Sequence, residues 1–211
     1  NDGDDDQTER NRAGHYTFHP EADTGQGLLR ELKLVCAQGY AIEKLVAFTH
    51  GYPEGIVLAT DQGFYDQDRY VGIVGASGLN DLRDVMESPY KLIRFSLYSR
   101  IILQSCRTGA YLFGWKLSKI TSGTVYAPVG ACSPEKTPAG QETGWFLSDP
   151  PTTEVYEGRD DAWIPIPFTH WRQNGCWRKF VNGVEIADPW ETDSTLQEPI
   201  NALGTSKARC W

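Results

Sequence analysis

Three stretches of the chain carry hydrophobic residues at helical spacing, and each stretch predicts a helix. In residues 24–38 the leucines lie on one face among charged side chains, and the pattern stops just before a glycine. The same spacing predicts a short helix over residues 78–88, with Asn80 as its N-cap, and a third helix that follows Gly109. Each helix is therefore expected to cover its apolar face with another part of the chain.

Short apolar runs, partly β-branched, separate the predicted helices and predict buried strands. These runs cover residues 42–48, 99–104 and 124–129. Strands that alternate with helices need crossover connections, which make neighbouring strands parallel. The predicted fold class is therefore α/β, with a mostly parallel sheet flanked by helices. A hairpin or loop excursion is expected over residues 55–65, after the first strand has ended.

The two ends of the chain differ from this alternating pattern. Residues 1–13 are polar and rich in acidic side chains, which predicts a flexible tail or linker, so the folded domain is expected to span residues 14–211. Residues 135–211 lack regular periodicity and are rich in tryptophan, which predicts an irregular extension packed against the sheet. Within this extension, Asn182-Gly183 between apolar residues is a strong hairpin signal.

Composition limits the classes of protein to which the chain can belong. With 40% hydrophobic and 12% aromatic residues, a chain of 211 residues can build one packed domain, which excludes a disordered or coiled-coil protein. A formal net charge of −8 with scattered basic residues argues against nucleic acid as a partner. No apolar run approaches the roughly 18 residues of a membrane span. Because the chain begins at Asn1, we expect it to be a piece of a longer polypeptide.

Five cysteines cannot all pair within one chain, so at least one thiol is expected to be free. They show neither a CxxC pair nor the cysteine and histidine spacing of a zinc site, which argues against a metal site and against a disulfide scaffold. A free thiol suits a reducing compartment and can act as a nucleophile. The five are Cys36, Cys106, Cys132, Cys176 and Cys210.

Two of the predicted strands end in side chains that can perform covalent catalysis. His50 follows the strand 42–48, and Cys106 follows the strand 99–104. In open α/β sheets reactive side chains gather at the carboxyl edge, so we expect these two to lie near one another. Because a helix is predicted directly after Cys106, we expect this cysteine to lie at the helix N-terminus, where the N–H groups stabilise a thiolate and an oxyanion.

These two strand ends resemble known catalytic motifs. A hydrophobic strand ending in His50-Gly51, followed after a helix by one ending in Ser105-Cys106, is similar to the motif pair of caspase-like (clan CD) cysteine peptidases. The similarity is closer to the bacterial, toxin- or effector-borne branch, whose motifs often include Ser-Cys-x-Thr-Gly, Val-x-Ala-Pro and a late Gly-x-Trp-x-x-Phe. The chain has Ser105-Cys106-Arg107-Thr108-Gly109, Val125-Tyr126-Ala127-Pro128 and the late segment at residues 175–180. The resemblance covers about residues 28–135 and that late segment.

The resemblance implies a caspase-like cysteine endopeptidase with a Cys/His dyad and no cofactor. Cys106 would be the nucleophile that forms a thioester, and His50 would be the acid and base that serves the leaving amine. The backbone N–H groups of Gly51 and Cys106 would be the oxyanion donors. The resemblance further implies a toxin, effector or autoprocessing domain of a larger bacterial protein, secreted or delivered to act in a reducing, cytosolic compartment. Its partners would be a protein substrate, its parent polypeptide, or a cognate inhibitor or immunity protein.

Two other interpretations of the same residues stay open. Cys106 with the later His170 matches the order of nucleophile and base in papain-like proteases and in deamidating or transglutaminating toxins. A caspase-like fold without activity would instead be a binding module, in which Cys106 is an ordinary small apolar residue. The partner of Cys106 therefore decides between the two enzymatic interpretations, and its reactivity decides between enzyme and binding module.

The remaining histidines and cysteines have simpler expected places. His15 and His19 are predicted at the surface near the flexible start of the chain. Cys36 is expected in the core, on the apolar face of its helix, whereas Cys132 follows a strand end and is expected to border the site without a role. Cys176 and Cys210 are expected to form a disulfide bond with each other only in an oxidising compartment.

Overall fold

The computed structural model describes residues 22–59, 62–68, 77–136, 138–140, 142–148, 177–186 and 207–210. These residues form three helices and eleven strands. They confirm a mixed α/β fold with a five-stranded, mostly parallel sheet flanked by helices. The acidic segment 1–13 lies outside the described residues, so its flexibility and the start of the domain at residue 14 stay predictions.

Helix α1 (Gly25–Ala37) confirms the first predicted helix. The Thr24 hydroxyl caps it by accepting a hydrogen bond from the N–H of Gly27 at 2.9 Å. The helix ends where Gly39 adopts a φ of +94°, a conformation that glycine reaches without steric strain. Cys36 lies on the inner face and is buried in the core, as predicted.

Helix α2 (Leu79–Glu87) confirms the second predicted helix, but its N-cap is Gly78 and not Asn80. The Asp81 carboxylate accepts a hydrogen bond from the N–H of Gly78 at 3.0 Å. Asn80 lies in the first turn instead, where its N–H donates to the Gln67 side chain at 2.8 Å. The predicted Asn80 cap is wrong because an acidic side chain at the third helical position reaches back and satisfies the start of the helix.

Five strands form the main sheet. They are β1 (Ile42–Phe48), β5 (Phe95–Gln104), β6 (Thr124–Pro128), β9 (Trp177–Val181) and β10 (Val184–Ile186), in the spatial order β1-β5-β6-β9-β10. β1, β5 and β6 are parallel neighbours, as predicted. β9 pairs antiparallel with β6, and β10 pairs antiparallel with β9. The predicted parallel core is therefore extended on one side by an antiparallel hairpin.

That hairpin corrects the prediction of an irregular extension. Residues 135–211 were expected to pack against the sheet, but within them β9 and β10 join the sheet edge to edge. The turn between β9 and β10 is the predicted Asn182-Gly183 pair, with φ values of +48° and +74°. Positive φ at both turn residues matches the right-handed twist of the flanking strands, which explains why this pair favours a tight hairpin.

Two three-stranded sheets complete the described fold. In the first, β2 (His50–Tyr52), β3 (Gly55–Ala59) and β4 (Gln62–Tyr65) pair antiparallel, which confirms the predicted hairpin over residues 55–65. In the second, the order is β11-β8-β7, formed by β7 (Cys132–Lys136), β8 (Glu142–Ser148) and β11 (Lys207–Cys210). The first of these sheets continues directly from the end of β1 and carries His50.

The hydrophobic core lies between the helices and the main sheet. Helix α1 contacts β1 and β4, whereas helix α3 (Phe113–Thr121) contacts β6 and β9. Ile101 and Leu103 of β5 join this core, while Ile102 is buried on the other face, because side chains alternate along a strand. Other members of the core are Leu29, Leu32, Leu79, Leu82, Phe113, Leu117, Val125 and Phe180. The last four residues of β5, 101–104, are therefore buried on both faces, and Cys106 follows two residues later.

Candidate active site

The segments that carry His50 and Cys106 leave the main sheet at the same edge. β1 and β5 are parallel neighbours, and Phe48 at the end of β1 pairs with Gln104 at the end of β5. His50 and Cys106 each follow two residues later in the chain. Parallel register therefore brings both segments to the carboxyl edge of the sheet, which is where α/β folds place reactive side chains.

Gly51 determines how closely these two segments approach. A Cβ atom added to Gly51 would lie 2.6 Å from the Cys106 carbonyl oxygen and 2.8 Å from the Ser105 Cβ. Both separations are too short for a real side chain, so only glycine fits without a shift of the backbone. β2 therefore packs directly on the backbone of Ser105 and Cys106, one residue after His50.

His50 is held through its backbone while the residue itself stays exposed to solvent. It opens β2 and pairs with Val57 of β3. The Thr49 hydroxyl donates a hydrogen bond to the Val57 carbonyl oxygen, which fastens the chain just before His50 to the same strand. An imidazole on a fixed backbone, open to solvent, can exchange protons with a bound substrate and with water.

Cys106 lies in a turn and not at a helix N-terminus, which corrects the prediction. Helix α3 begins only at Phe113, and residues 107–112 form turns before it. Arg107 has a φ of +64°, and the Thr108 hydroxyl donates to the Ser105 carbonyl oxygen at 3.0 Å. Left-handed backbone and a local side-chain bond both compete with helix formation. The helix dipole is therefore not the source of any stabilisation of a Cys106 thiolate.

Cys132 supplies the hydrogen bonds that Cys106 makes. Its N–H donates to the Cys106 sulfur at 3.2 Å, and the Cys106 thiol can donate to the Cys132 carbonyl oxygen at 3.6 Å. Both cysteines are free, and Cys106 is half-buried. A backbone N–H aimed at sulfur stabilises negative charge there, which a predicted helix end was expected to do.

The backbone contribution of Cys132 is the site feature that the sequence did not predict. Cys132 was expected to border the site without a role, because it follows the strand that ends near residue 128. β6 lies next to β5 in the sheet, so its end reaches the same edge as Cys106. The order of the strands was the signal that could have placed Cys132 near Cys106. It does not indicate that the Cys132 N–H points at the Cys106 sulfur.

Cys132 itself stays protonated under ordinary conditions. Burial raises the pKa of the Cys132 thiol well above its usual range, and a charge on neighbouring Cys106 raises it further. The two thiols therefore have different chemistry although they are in contact: the one at Cys132 resists ionisation, because its anion would be desolvated and close to another sulfur.

The turn after Cys106 uses most of its N–H groups on neighbouring carbonyls. The N–H of Arg107 donates to Gly130 at 2.8 Å, and that of Gly109 donates to Pro128 at 2.8 Å. Among the described residues, the N–H of Cys106 has no hydrogen-bond partner. This donor is available to an oxyanion. Gly51, on the adjacent segment, pairs with Ile56 of β3.

Several residues named by the sequence analysis lie outside the described residues. They are His15, His19, His170 and Cys176, together with the side chain of Cys210. The pairing of Cys106 with His170 therefore stays a prediction, as does a link between the two late cysteines.

In the described part of the chain, no three His, Cys, Asp or Glu side chains are grouped so that they could hold a metal ion. Searched over the same residues, no helix is both long enough and apolar enough to cross a membrane. Comparison of the chain with protein-family models, with curated protein sequences and with solved structures gives no match.

Proposed function

We propose that the protein is a cysteine endopeptidase in which Cys106 is the nucleophile and His50 the acid and base. The observation that supports this best is the register of β1 and β5, which brings both segments to one sheet edge. The close packing of Gly51 on the Cys106 backbone adds to it. A thiol and an imidazole on neighbouring strand ends form the minimal set for covalent catalysis of acyl transfer.

The proposed reaction proceeds through a thioester. The Cys106 sulfur forms a bond to the carbonyl carbon of the scissile peptide, and the carbonyl electron pair moves to oxygen. The C–N bond then breaks, and the leaving nitrogen takes a proton from the His50 imidazolium. Water next attacks the thioester carbon while His50 accepts its proton. The C–S bond breaks, which releases a carboxylate product and restores the Cys106 thiolate.

Three backbone donors serve these steps. The Cys132 N–H, 3.2 Å from the Cys106 sulfur, stabilises the thiolate before attack and after release. The N–H of Cys106 is directed to the oxyanion of the tetrahedral intermediate. The Gly51 N–H is the second oxyanion donor in this proposal, as the resemblance to caspase-like peptidases implies.

The resemblance also guides the wider proposal. A caspase-like peptidase fold is compatible with the parallel core of β1, β5 and β6 and with strand ends that carry the two motifs. We infer a toxin, effector or autoprocessing domain of a bacterial protein, active in a reducing compartment. Its substrate is a protein, its own parent polypeptide included, and a cognate inhibitor or immunity protein is the expected regulatory partner.

Mass spectrometry of digests tests the proposal directly. Wild type and the Cys106→Ala and Cys36→Ala variants, each with any native flanking sequence, are incubated with a denatured bulk protein. Cys36 is a buried thiol of α1, remote in sequence from the site, so its variant controls for loss of a cysteine as such. Cleavage is expected from wild type and Cys36→Ala, and a loss of at least about a thousandfold is expected for Cys106→Ala.

Histidine variants separate this proposal from the deamidase interpretation. Loss of cleavage in His50→Ala with retention in His170→Ala supports the His50 dyad. The reverse result, or a gain of about 1 Da at substrate glutamines without cleavage, contradicts it and favours deamidation. Cleavage that persists in Cys106→Ala would overturn the assignment of the nucleophile altogether.

A further inference from the structure

Arg178 is a buried charged side chain that the proposed chemistry does not use. It lies in β9, where it pairs with Ala127 of β6, and only 8% of it is exposed. Arginine is almost never buried to this extent unless its donors are satisfied, because desolvation of the charge is unfavourable. Its partners therefore indicate what the side chain does in the fold.

One side of the guanidinium is occupied by Glu185 of β10. The Nε group donates to one carboxylate oxygen of Glu185 at 2.8 Å, and Nη2 donates to the other. This two-point geometry fixes the plane and orientation of the guanidinium, which also lies over the Phe180 ring at 5.1 Å. The hairpin β9–β10 therefore presents Nη1 in a defined direction.

Nη1 points into the turn that follows Cys106. It donates to the carbonyl oxygen of Gly109 at 2.9 Å and lies 3.5 Å from that of Ala110. The same turn donates the N–H of Gly109 to Pro128 at the end of β6. The turn is thus held from two sides, by a backbone acceptor of β6 and by one side-chain donor of β9.

The backbone of this turn needs such support. Arg107, directly after Cys106, has a φ of +64°, which is unfavourable for a residue with a side chain. A strained conformation persists only where its surroundings determine it. Without the contacts at Gly109 and Ala110, the turn is expected to relax, and the Cys106 sulfur would then leave the Cys132 N–H, now 3.2 Å away.

We propose that Arg178 is a positioning residue for Cys106: it holds the turn at residues 106–110 so that the sulfur keeps its backbone donor. The consequence for catalysis rests on the proposed function. The stabilisation of the turn by Arg178, called here the hold on the turn, does not. Two readouts therefore separate these parts. Hydrogen exchange of the turn amides reports the hold, and the rate of Cys106 alkylation by iodoacetamide reports its effect on the sulfur.

The experiment compares Arg178→Met and Arg178→Lys with wild type and with Lys116→Gln. Lys116 of α3 donates to Asp66 and Asp68 in a partly buried ion pair, so Lys116→Gln also weakens a charge pair, but one whose carboxylates lie outside the cysteine turn. The Lys116→Gln variant controls for a general loss of folding stability. Arg178→Lys keeps the positive charge near Glu185 but has a single nitrogen, which cannot hold the carboxylate and both carbonyls together. It carries the test if Arg178→Met fails to fold.

In Arg178→Met, exchange of the Arg107 and Gly109 amides is expected to accelerate about tenfold or more, and Cys106 alkylation at fixed pH is expected to slow about tenfold. Arg178→Lys is expected to show intermediate changes, and Lys116→Gln to show neither. With a cleavable peptide, kcat should fall with little change in KM.

Each other outcome overturns part of this picture. Unchanged amide exchange in both Arg178 variants refutes the hold on the turn, whether or not the protein cleaves peptides. Faster exchange with unchanged alkylation refutes the positioning of the sulfur. If wild type alkylates rapidly and responds to Arg178 but cleaves no protein, the positioning role stands and the peptidase proposal fails.

Discussion

At the residue scale, Cys106 and Cys132 are two free thiols in contact whose surroundings differ. The Cys106 sulfur accepts the N–H of Cys132, and Cys106 is half-buried. Burial and the nearness of Cys106 raise the pKa of Cys132, which favours its neutral thiol. Since alkylating reagents react with the thiolate, this difference can be measured without any substrate.

Iodoacetamide at pH 8 is expected to label Cys106 at least about tenfold faster than Cys132. The raised pKa of Cys132 means that this thiol stays protonated at pH 8 and becomes reactive only when the solution is much more alkaline. Peptide mass spectrometry over a time course measures both rates in one sample. Buried Cys36 is the internal control and should label slowest in the folded protein. Equal rates, or faster labelling of Cys132, would contradict the assigned environments.

How much of the site could be predicted differs from residue to residue. His50 and Cys106 could be named because each follows an apolar run, and a run that ends in a reactive side chain is visible locally. The start of α3 could not be predicted, because the left-handed backbone of Arg107 and the hydrogen bond of the Thr108 hydroxyl replace the first helical turn. The role of the Cys132 N–H could not be predicted either, since the direction of this group depends on how neighbouring strands pack.

At the element scale, the hairpin β9–β10 depends on a turn with two left-handed residues. Gly183 has a φ of +74°, and a Cβ atom there would lie 3.0 Å from the Lys119 Cβ of α3. The Trp115 indole N–H donates to the Gly183 carbonyl oxygen, and the Gly183 N–H donates to the Ser118 hydroxyl at 2.9 Å. The turn is therefore packed against α3 as well as conformationally restricted.

Gly183→Ala is expected to lower the free energy of unfolding by about 2–3 kcal/mol, from backbone strain and crowding against α3. Gly140→Ala is the matched control, because Gly140 has a φ of +82° but no atom within 4 Å of the added Cβ. It should lose only about 1–2 kcal/mol, the strain alone. Urea unfolding of both variants measures the difference. Equal losses would show that the contact with α3 is unimportant.

The strands of the parallel core were predictable, and their antiparallel extension was not. β1 matches its predicted bounds, and β6 ends one residue earlier than predicted, because each is a short, mainly apolar run. β5 ends where predicted but begins at Phe95, four residues before its predicted start. The Asn182-Gly183 hairpin was also predictable from its turn residues. Its place beside β6 was not, since the pairing joins distant parts of the chain and depends on the shape of the sheet edge.

At the scale of the whole molecule, one charge cluster joins α3 to the segment after β4. The Lys116 ammonium donates to Asp66 at 2.6 Å and to Asp68 at 2.9 Å. The hydrogen bonds from Lys116 and then Asn80 lower the pKa of Asp68. Burial alone would lower the pKa of Lys116, but the two carboxylates outweigh it and raise that pKa. The cluster thus links helix and sheet through charges that depend on pH.

Asp68→Asn is expected to lower the Tm by about 1–3 °C at pH 7, because an exposed ion pair contributes little. The lowered pKa means that Asp68 contributes stability above its unfolded pKa of about 3.8, and that this stability is lost as pH falls through the folded value. The Tm difference should therefore shrink as the pH falls below about 3.8. Asp84→Asn, at an exposed carboxylate that lies 3.7 Å from Arg83, is the control and should change little. A Tm difference independent of pH would contradict the ion-pair explanation.

The pairing of β6 with β9 also sets an order of events during protein synthesis. A ribosome adds about 5–20 residues per second, so roughly 4–14 s separate the incorporation of Cys106 from that of Arg178. During this interval the nascent chain already carries its thiol but lacks the strand that completes the sheet beside it and the guanidinium that holds its turn. The proposed peptidase is therefore incomplete while its own unfinished chain is exposed, and we expect it to become competent only when the late hairpin has docked.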